Sequence, residues 1–166
     1  LQGLPKRDKL ELIIQKAVEL GASSIVPVMM ARSNVRLDDK KADRKAERLN
    51  EIAKSAAEQS KRGILPEVAI PKRFADALAL AKDADIKLIC YEDETAAGRL
   101  QALLPQLDSA KKIALLVGPE GGISEEEWQA ATCAGFQSVS LGRRILRTET
   151  AGLCLLSFLM LHLENA

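Results

Sequence analysis

Metal-binding and disulfide-forming side chains are scarce in this chain of 166 residues, which contains three cysteines and one histidine. Cys90, Cys133 and Cys154 are odd in number, far apart and flanked by apolar or small residues, a pattern that predicts reduced core cysteines in a cytoplasmic protein. Zinc and iron centres need closely spaced ligands, and His162 belongs to no such cluster of Cys, His and Asp. We therefore expect no metal.

Long apolar runs are also lacking. The longest, residues 151–163, is shorter than the ~20 residues that a membrane span needs, and Ser157 and His162 interrupt it. This run predicts a buried helix and no membrane association. Because the sequence has neither a charged-then-apolar leader nor an initiator methionine, we expect it to begin inside a longer protein.

What is present is enough apolar material for one core, since 47% of the residues are hydrophobic. The length and this fraction predict a single domain over residues 1–166. The formal net charge is only +1, but residues 1–62 carry 14 Lys and Arg against 9 Asp and Glu, whereas the remainder carries 10 against 14. A basic first third can attract a polyanion, although solvated helices also have this composition.

Apolar segments of strand length alternate with segments of helical periodicity. Strands are predicted at 24–30, 66–70, 86–91, 112–117 and 137–140. Helices are predicted at 8–20, 39–60, 73–82, 96–104 and 148–163, and a further helix begins after a capping box formed by Ser124 and Glu127. The alternation predicts an α/β fold with a mainly parallel sheet and helices on both faces.

The clearest strand is followed at once by a glycine-rich turn, residues 118–122, which we call the glycine loop. Ligands of open α/β sheets bind beyond the carboxyl ends of the strands, where glycines let the backbone approach a flat ligand. Pro119 stiffens the turn. The sequence is neither a dinucleotide fingerprint nor a phosphate loop. Taken alone, the glycine pair is also typical of a tight strand-to-helix turn.

A second polar segment, residues 141–150, leads into the last helix and ends in Arg147, Thr148, Glu149 and Thr150. Locally, Thr148 is explained as a helix N-cap and Glu149 as a partner of the helix dipole. The two segments together allow a more specific interpretation.

The stretches LLVGPEGGISEEE and SLGRRILRTETA resemble the RsmE family of ribosomal RNA uracil-N3 methyltransferases, which belongs to the SPOUT superfamily. Upstream matches extend the resemblance over nearly the whole chain: Gln15-Lys16-Ala17, Glu19-Leu20-Gly21, Arg32-Ser33 and Ala57-Glu58-Gln59-Ser60 through Arg62 and Pro66. Family members usually carry a small β-rich RNA-binding domain in front, so the resemblance implies a catalytic domain without that part.

The resemblance implies that S-adenosylmethionine (SAM) is the methyl donor, bound in a deep trefoil knot near the carboxyl end of the sheet. It also implies a cytoplasmic homodimer and a target uridine in 16S ribosomal RNA of the small subunit. The implied donor-binding residues are Leu116, Val117, Gly118, Pro119, Glu120, Gly121, Gly122, Leu141, Gly142, Ile145, Leu146, Arg147, Thr148, Thr150 and Ala151.

The chemistry of uracil narrows the catalytic candidates. Its N3 is a poor nucleophile until its proton is lost or shared, so the protein must favour the anion and align the methyl group. Arg32 and Arg147 are the candidates for anion stabilisation, and Glu149 or Glu58 for proton acceptance. Arg32 is otherwise a surface cation, and Glu58 with Arg62 a solvated helical pair.

RNA contacts are expected from the basic first third, at Arg32, Arg36, Lys40, Lys41, Arg44, Gln59 and Arg62. Two alternatives remain open. One is a SPOUT methyltransferase acting on transfer RNA or on a ribose 2′-hydroxyl. The other is a non-catalytic RNA-binding module of ribosome assembly, which would not need glycine-rich strand ends.

Overall fold

The central feature of the computed structural model, which describes residues 1–6, 9–33, 39–91 and 99–165, is a six-stranded sheet. Its strands are β1 (Gln2–Gly3), β3 (Pro27–Met29), β5 (Lys72–Arg73), β6 (Ile86–Cys90), β7 (Ile113–Val117) and β8 (Gln137–Val139), arranged in the order β5-β3-β1-β7-β6-β8. Every described ladder is parallel. The prediction of a mainly parallel α/β fold is confirmed.

Residues 24–30 do not form the single strand that their apolar composition predicted. They divide into β2 (Ser24–Ile25), which pairs with β4 (Glu67–Val68) in a separate two-stranded sheet, and β3 in the main sheet. The division falls before Pro27, which has no N–H to donate to a ladder. The carbonyl of Ile25 accepts from Ala69, and that of Val26 accepts from Gln2.

The helices are α1 (Lys9–Glu19), α2 (Asp39–Gln59), α3 (Phe74–Leu80), α4 (Arg99–Ala102), α5 (Leu104–Leu107), α6 (Glu125–Cys133) and α7 (Thr148–Glu164). The prediction of a single helix at 96–104 is wrong for residues 99–104, because two short helices meet at Leu103. Pro105 stands at the beginning of α5, where its missing N–H costs no helical hydrogen bond.

Helices cover both faces of the sheet, as predicted. Along β6, Leu88 packs with Leu155 and Leu159 of α7, whereas the next residue, Ile89, packs with Ala77 of α3 and with residues of α6 on the opposite face. The first face continues into a cluster that joins α1, α2 and α7. The prediction of core cysteines is wrong for Cys133 and Cys154, which are exposed on α6 and α7. Within the described ranges, no helix is both long and apolar enough to cross a membrane.

The start of α7 is fixed by a buried polar junction against the sheet. The Thr148 hydroxyl donates to the carbonyl of Gly118 at 2.6 Å and accepts from the Gln2 amide nitrogen Nε2 at 2.8 Å. One turn later, Gly152 brings the helix backbone close to the Val117 side chain, since an added Cβ would lie 3.4 Å from its Cγ2. The junction therefore places the segment before α7 beside the end of β7.

We expect Thr148→Val to destabilise the fold, because Val preserves the shape of the side chain but leaves two buried polar groups, the Gly118 carbonyl and the Gln2 amide, without this partner. The expected loss is about 1–3 kcal/mol in the free energy of unfolding, measured by urea denaturation. Thr150→Val is the matched control, since Thr150 is exposed on the same turn. Equal stability of the two variants would contradict the role assigned to the junction.

Candidate functional site

Three chain segments meet at the carboxyl edge of the sheet. Residues 31–33 follow β3, the glycine loop follows β7, and residues 141–147, which we call the arginine loop, lead from β8 into α7. β3, β1 and β7 are adjacent and parallel, so their carboxyl ends lie side by side. The predicted loops are thus brought to one edge.

The glycine loop lies directly against Arg32. A Cβ on Gly121 would stand 2.9 Å from the Arg32 Cβ and 3.0 Å from its carbonyl oxygen, so only glycine fits there without a shift. Gly122 has a φ of +75°, which other residues rarely adopt. The Arg32 guanidinium also donates to the Gly121 carbonyl at 3.3 Å. Arg32 therefore lies beside the glycine loop.

Glu127 of α6 also contacts the residue before Arg32, a role that the sequence did not reveal. Ser124 and Glu127 form the predicted capping box of α6. The buried Glu127 carboxylate also accepts from the backbone N–H of Ala31 at 2.7 Å. One side chain therefore fixes both the helix that follows the glycine loop and the residue before Arg32.

Lys9, at the first position of α1, is a second residue that sequence reasoning missed. Its ammonium lies 3.2 Å from a carboxylate oxygen of Glu120 in the glycine loop and 3.2 Å from one of Glu149 at the start of α7. The hydrogen bonds to Glu120 and Glu149 raise the pKa of Lys9. The pKa of Glu120 is lowered despite its partial desolvation, because its own backbone N–H, the Lys6 N–H and Lys9 stabilise the anion.

The arginine loop projects from the surface. Gly142 has a φ of +114°, and Arg143, Arg144, Ile145 and Arg147 are exposed, with Ile145 82% accessible. Leu141 and Leu146 are half-buried, and Leu141 packs against the core cluster that contains Val139 and Leu155. Arg147 and its neighbours therefore form a cationic rim next to the glycine loop.

Arg147, rather than Thr148, is the N-cap residue of α7. Its backbone carbonyl accepts from Thr150 and Ala151, but its guanidinium has no side-chain capping bond. Thr148 lies inside the helix and serves the buried junction instead. The interpretation of Thr148 as a simple N-cap is therefore wrong, and Arg147 does not anchor the helix through its side chain.

Glu58, Gln59 and Arg62 lie far from both loops within the protomer. The Arg62 guanidinium donates to carbonyls at the end of α1, those of Val18, Gly21 and Ala22. Lys9 at the beginning of α1 contacts the loops, and the helix between the two ends is about 15 Å long at 1.5 Å per residue. The structure thus does not bring Glu58 to the site, and Arg62 is occupied as a helix cap instead of pairing with Glu58.

The remaining RNA-binding candidates are only partly defined. Arg36 lies outside the described residues, as do the side chains of Lys40 and Lys41. Arg44 is exposed on α2. Arg48, on the same helix, pairs with Glu11 of α1 at 3.0 Å.

The groove that the described residues form most clearly is not at this edge. A groove of about 1610 Å³ lies elsewhere, between α1, α2 and the later turns of α7, and neither the glycine loop nor the arginine loop lines it. In the described part of the chain, no group of three or more His, Cys, Asp or Glu is arranged to hold a metal ion. The described groups at the edge are glycine backbone groups, arginines, the lysine-paired carboxylates and the Glu126 carboxylate, whose pKa is lowered by hydrogen bonds to its own backbone N–H and to Ser124 and also by the charge of Arg32.

Comparison with known proteins agrees with this geometry. The model of the RNA methyltransferase domain family matches residues 1–160. Ribosomal RNA small subunit methyltransferase E of Bacillus subtilis is 44% identical over 98% of this chain, and that of Mesomycoplasma hyopneumoniae is 36% identical over 92%. The chain spans 64% of the length of each of these relatives.

Two solved structures are also similar. A methyltransferase of Legionella pneumophila, in complex with bound SAM, has a TM-score of 0.86 and 34% identity, covering 96% of this chain and 64% of the other. Ribosomal RNA small subunit methyltransferase E of Neisseria gonorrhoeae, bound to S-adenosyl methionine, has a TM-score of 0.82 and 39% identity, covering 95% and 63%. These relatives confirm the resemblance seen in the motifs. The chain belongs to the RNA methyltransferase domain family.

Proposed function

We propose that residues 1–166 form a SAM-dependent methyltransferase domain that methylates N3 of a uridine in 16S ribosomal RNA of the small subunit. The observation that carries this proposal is the meeting of the glycine loop, Arg32 and the start of α7 at one edge of a parallel sheet. Relatives with the same fold bind SAM at 34% and 39% identity to this chain.

The residues at this edge suit such a donor. SAM combines a flat adenine, ribose hydroxyls and a cationic sulfonium. Glycine at positions 121 and 122 lets the loop pack against Arg32 and adopt a positive φ at Gly122, and the half-buried Leu141 and Leu146 offer apolar contact to a flat ring. The donor-binding residues implied by the family resemblance are therefore retained as our assignment.

When bound, SAM supplies a methyl group that is already electrophilic. The protein must then favour the uracil anion over the neutral base. Arg32 and Arg147 are exposed guanidiniums on segments that flank the glycine loop, so we assign them the stabilisation of negative charge on the uracil carbonyl oxygens. Of the two candidate proton acceptors, Glu149 is engaged by Lys9, and Glu58 lies at the distant end of α2. Arginine stabilisation of the anion therefore carries the larger share of the proposed mechanism, and the N3 proton passes to solvent water as the methyl group is transferred from the sulfonium.

We also infer the deep trefoil knot of the SPOUT superfamily. After β8, at one margin of the sheet, the chain returns past β6 to begin α7 beside β7 and β1. This return path of the chain beside the glycine loop supports our inference that the C-terminal segment is knotted. A cytoplasmic location follows from the proposed substrate.

The function is tested by incubating the chain with 16S ribosomal RNA and labelled SAM and then mapping the methylated nucleotides. We expect label at N3 of one uridine.

Gly121→Ala should raise the dissociation constant for SAM by about tenfold or more, equivalent to 1.4 kcal/mol, because its Cβ forces the loop away from Arg32. Gly63→Ala, in open space, is the control for calorimetry. Unchanged affinity in Gly121→Ala would remove this loop from the site, and label on transfer RNA or a ribose would identify a different target.

Two sets of variants test the proposed RNA contacts: one removes a residue assigned to the reacting uracil, and the other removes residues assigned to phosphate contacts. Arg147→Ala should lower the single-turnover rate of methylation much more than it lowers RNA affinity.

Replacing Lys40, Lys41, Arg44, Lys45 and Arg48 together by Ala should weaken RNA binding and flatten its salt dependence, because fewer counterions are released, while SAM affinity is unchanged. A parental rate in Arg147→Ala would exclude its catalytic role. An unchanged salt slope in the α2 variant would mean that this helix is only a solvated face.

We further propose that the domain acts as a homodimer. The last turns of α7 expose Leu161 and Leu163, at 59% and 43% accessibility, and large apolar side chains at a helix end favour contact with a second copy. Light scattering should give twice the monomer mass at micromolar concentration. The family resemblance also implies that the partner subunit completes the active site, and a monodisperse monomer that still methylates RNA would contradict this.

A further inference from the structure

The two loops of the site are joined by a single ammonium group. Lys9 Nζ lies 3.2 Å from Glu120 Oε1 in the glycine loop and 3.2 Å from Glu149 Oε2 in the first turn of α7. These contacts span more than a hundred residues of sequence. All three side chains are partly shielded, at 31%, 25% and 19% accessibility.

Local preferences do not explain a lysine at this position. A cation at the first residue of a helix faces the positive end of the helix dipole, which disfavours it. Glu149, by contrast, is favourable at the beginning of α7 on dipole grounds alone. The placement of Lys9 is therefore accounted for by its tertiary partners.

Lys9 also offsets the electrostatic repulsion between Glu120 and Glu149. Glu120 and Glu149 both place an oxygen within hydrogen-bonding distance of the same nitrogen, so without Lys9 two carboxylates would face each other and repel. An ammonium has three donors and can serve both oxygens at once. The backbone N–H of Lys6 adds a further contact to Glu120, which holds the segment before α1 against the glycine loop.

We propose that Lys9 is a positioning residue that sets the spacing between the glycine loop and the start of α7, and that Glu149 acts as its ion-pair partner and not as the proton acceptor. This inference rests on the proposed function, because its consequence is a donor pocket of fixed width. Lys9 touches neither the donor nor the uracil in this scheme.

The donor-binding test compares Lys9→Met with Lys16→Met. Lys16 lies two turns further along the same helix and is also paired, with Glu19 at 2.8 Å, but about 10 Å of helix separates it from Lys9. Lys9→Met should raise the SAM dissociation constant by about tenfold, whereas Lys16→Met and the conservative Lys9→Arg should stay close to the parental value. Parental affinity in Lys9→Met, or failure of Lys9→Arg to restore binding, would overturn the proposal.

The kinetic test uses Glu149→Gln, which keeps an acceptor oxygen but cannot take up a proton as a carboxylate does. With SAM and RNA saturating, its single-turnover rate should remain within about twofold of the parental rate, while the SAM concentration needed for saturation rises. A fall of about a hundredfold or more at saturation is the effect of losing a general base. That outcome would make Glu149 catalytic and the assignment wrong.

A third measurement does not depend on the donor. In the absence of SAM, backbone hydrogen exchange of Gly122 and of Ala151, whose N–H groups donate to Pro119 and Arg147, should accelerate in Lys9→Met and not in Lys16→Met. Unchanged exchange at both amides would overturn the positioning role. If the parental chain binds no SAM but the exchange difference is present, the proposed function fails while the role of Lys9 stands.

Discussion

The hydroxyl of Thr148 is the point on which the arrangement of the site depends. It satisfies the carbonyl of Gly118 where β7 ends and the amide of Gln2 in β1, inside the protein and away from water. A buried polar group without a partner is costly, so these groups hold the helix start in one position. Because α7 begins there, the arginine loop must pass beside the glycine loop. The proximity of two segments far apart in sequence follows from this contact.

Two charged side chains then refine what the junction establishes. Glu127 links the cap of α6 to Ala31, and Lys9 links the glycine loop to Glu149. Each side chain connects two segments of the chain, which fixes the geometry of this edge. The acidic side chains of the loops are thereby occupied by internal partners.

This use of the acids determines the electrostatic character of the edge. Glu120 and Glu149 are paired with Lys9, whereas Arg143, Arg144 and Arg147 remain exposed on the arginine loop. An exposed rim of guanidiniums suits a polyanion, and planar donors suit the carbonyl oxygens of a deprotonated base. The proposed mechanism therefore relies on anion stabilisation and not on Glu58 or Glu149.

The sequence by itself determined the elements whose signals are local. Apolar runs identified β6 and β7, helical periodicity identified α1 and α2, and the spacing of Ser124 and Glu127 identified a capping box that the structure contains. The two loops and their family resemblance were also readable, because glycine, proline and arginine occur there in a specific order. Two-residue strands such as β1 are too short to show any alternation, and the division of residues 24–30 depends on which strand each half pairs with. The tertiary structure alone decided that Lys9 joins the loops, that Glu127 holds Ala31, and that Arg62 caps α1 while Glu58 stays distant. Those outcomes depend on contacts between residues tens to more than a hundred positions apart, and no local periodicity carries information about such distances.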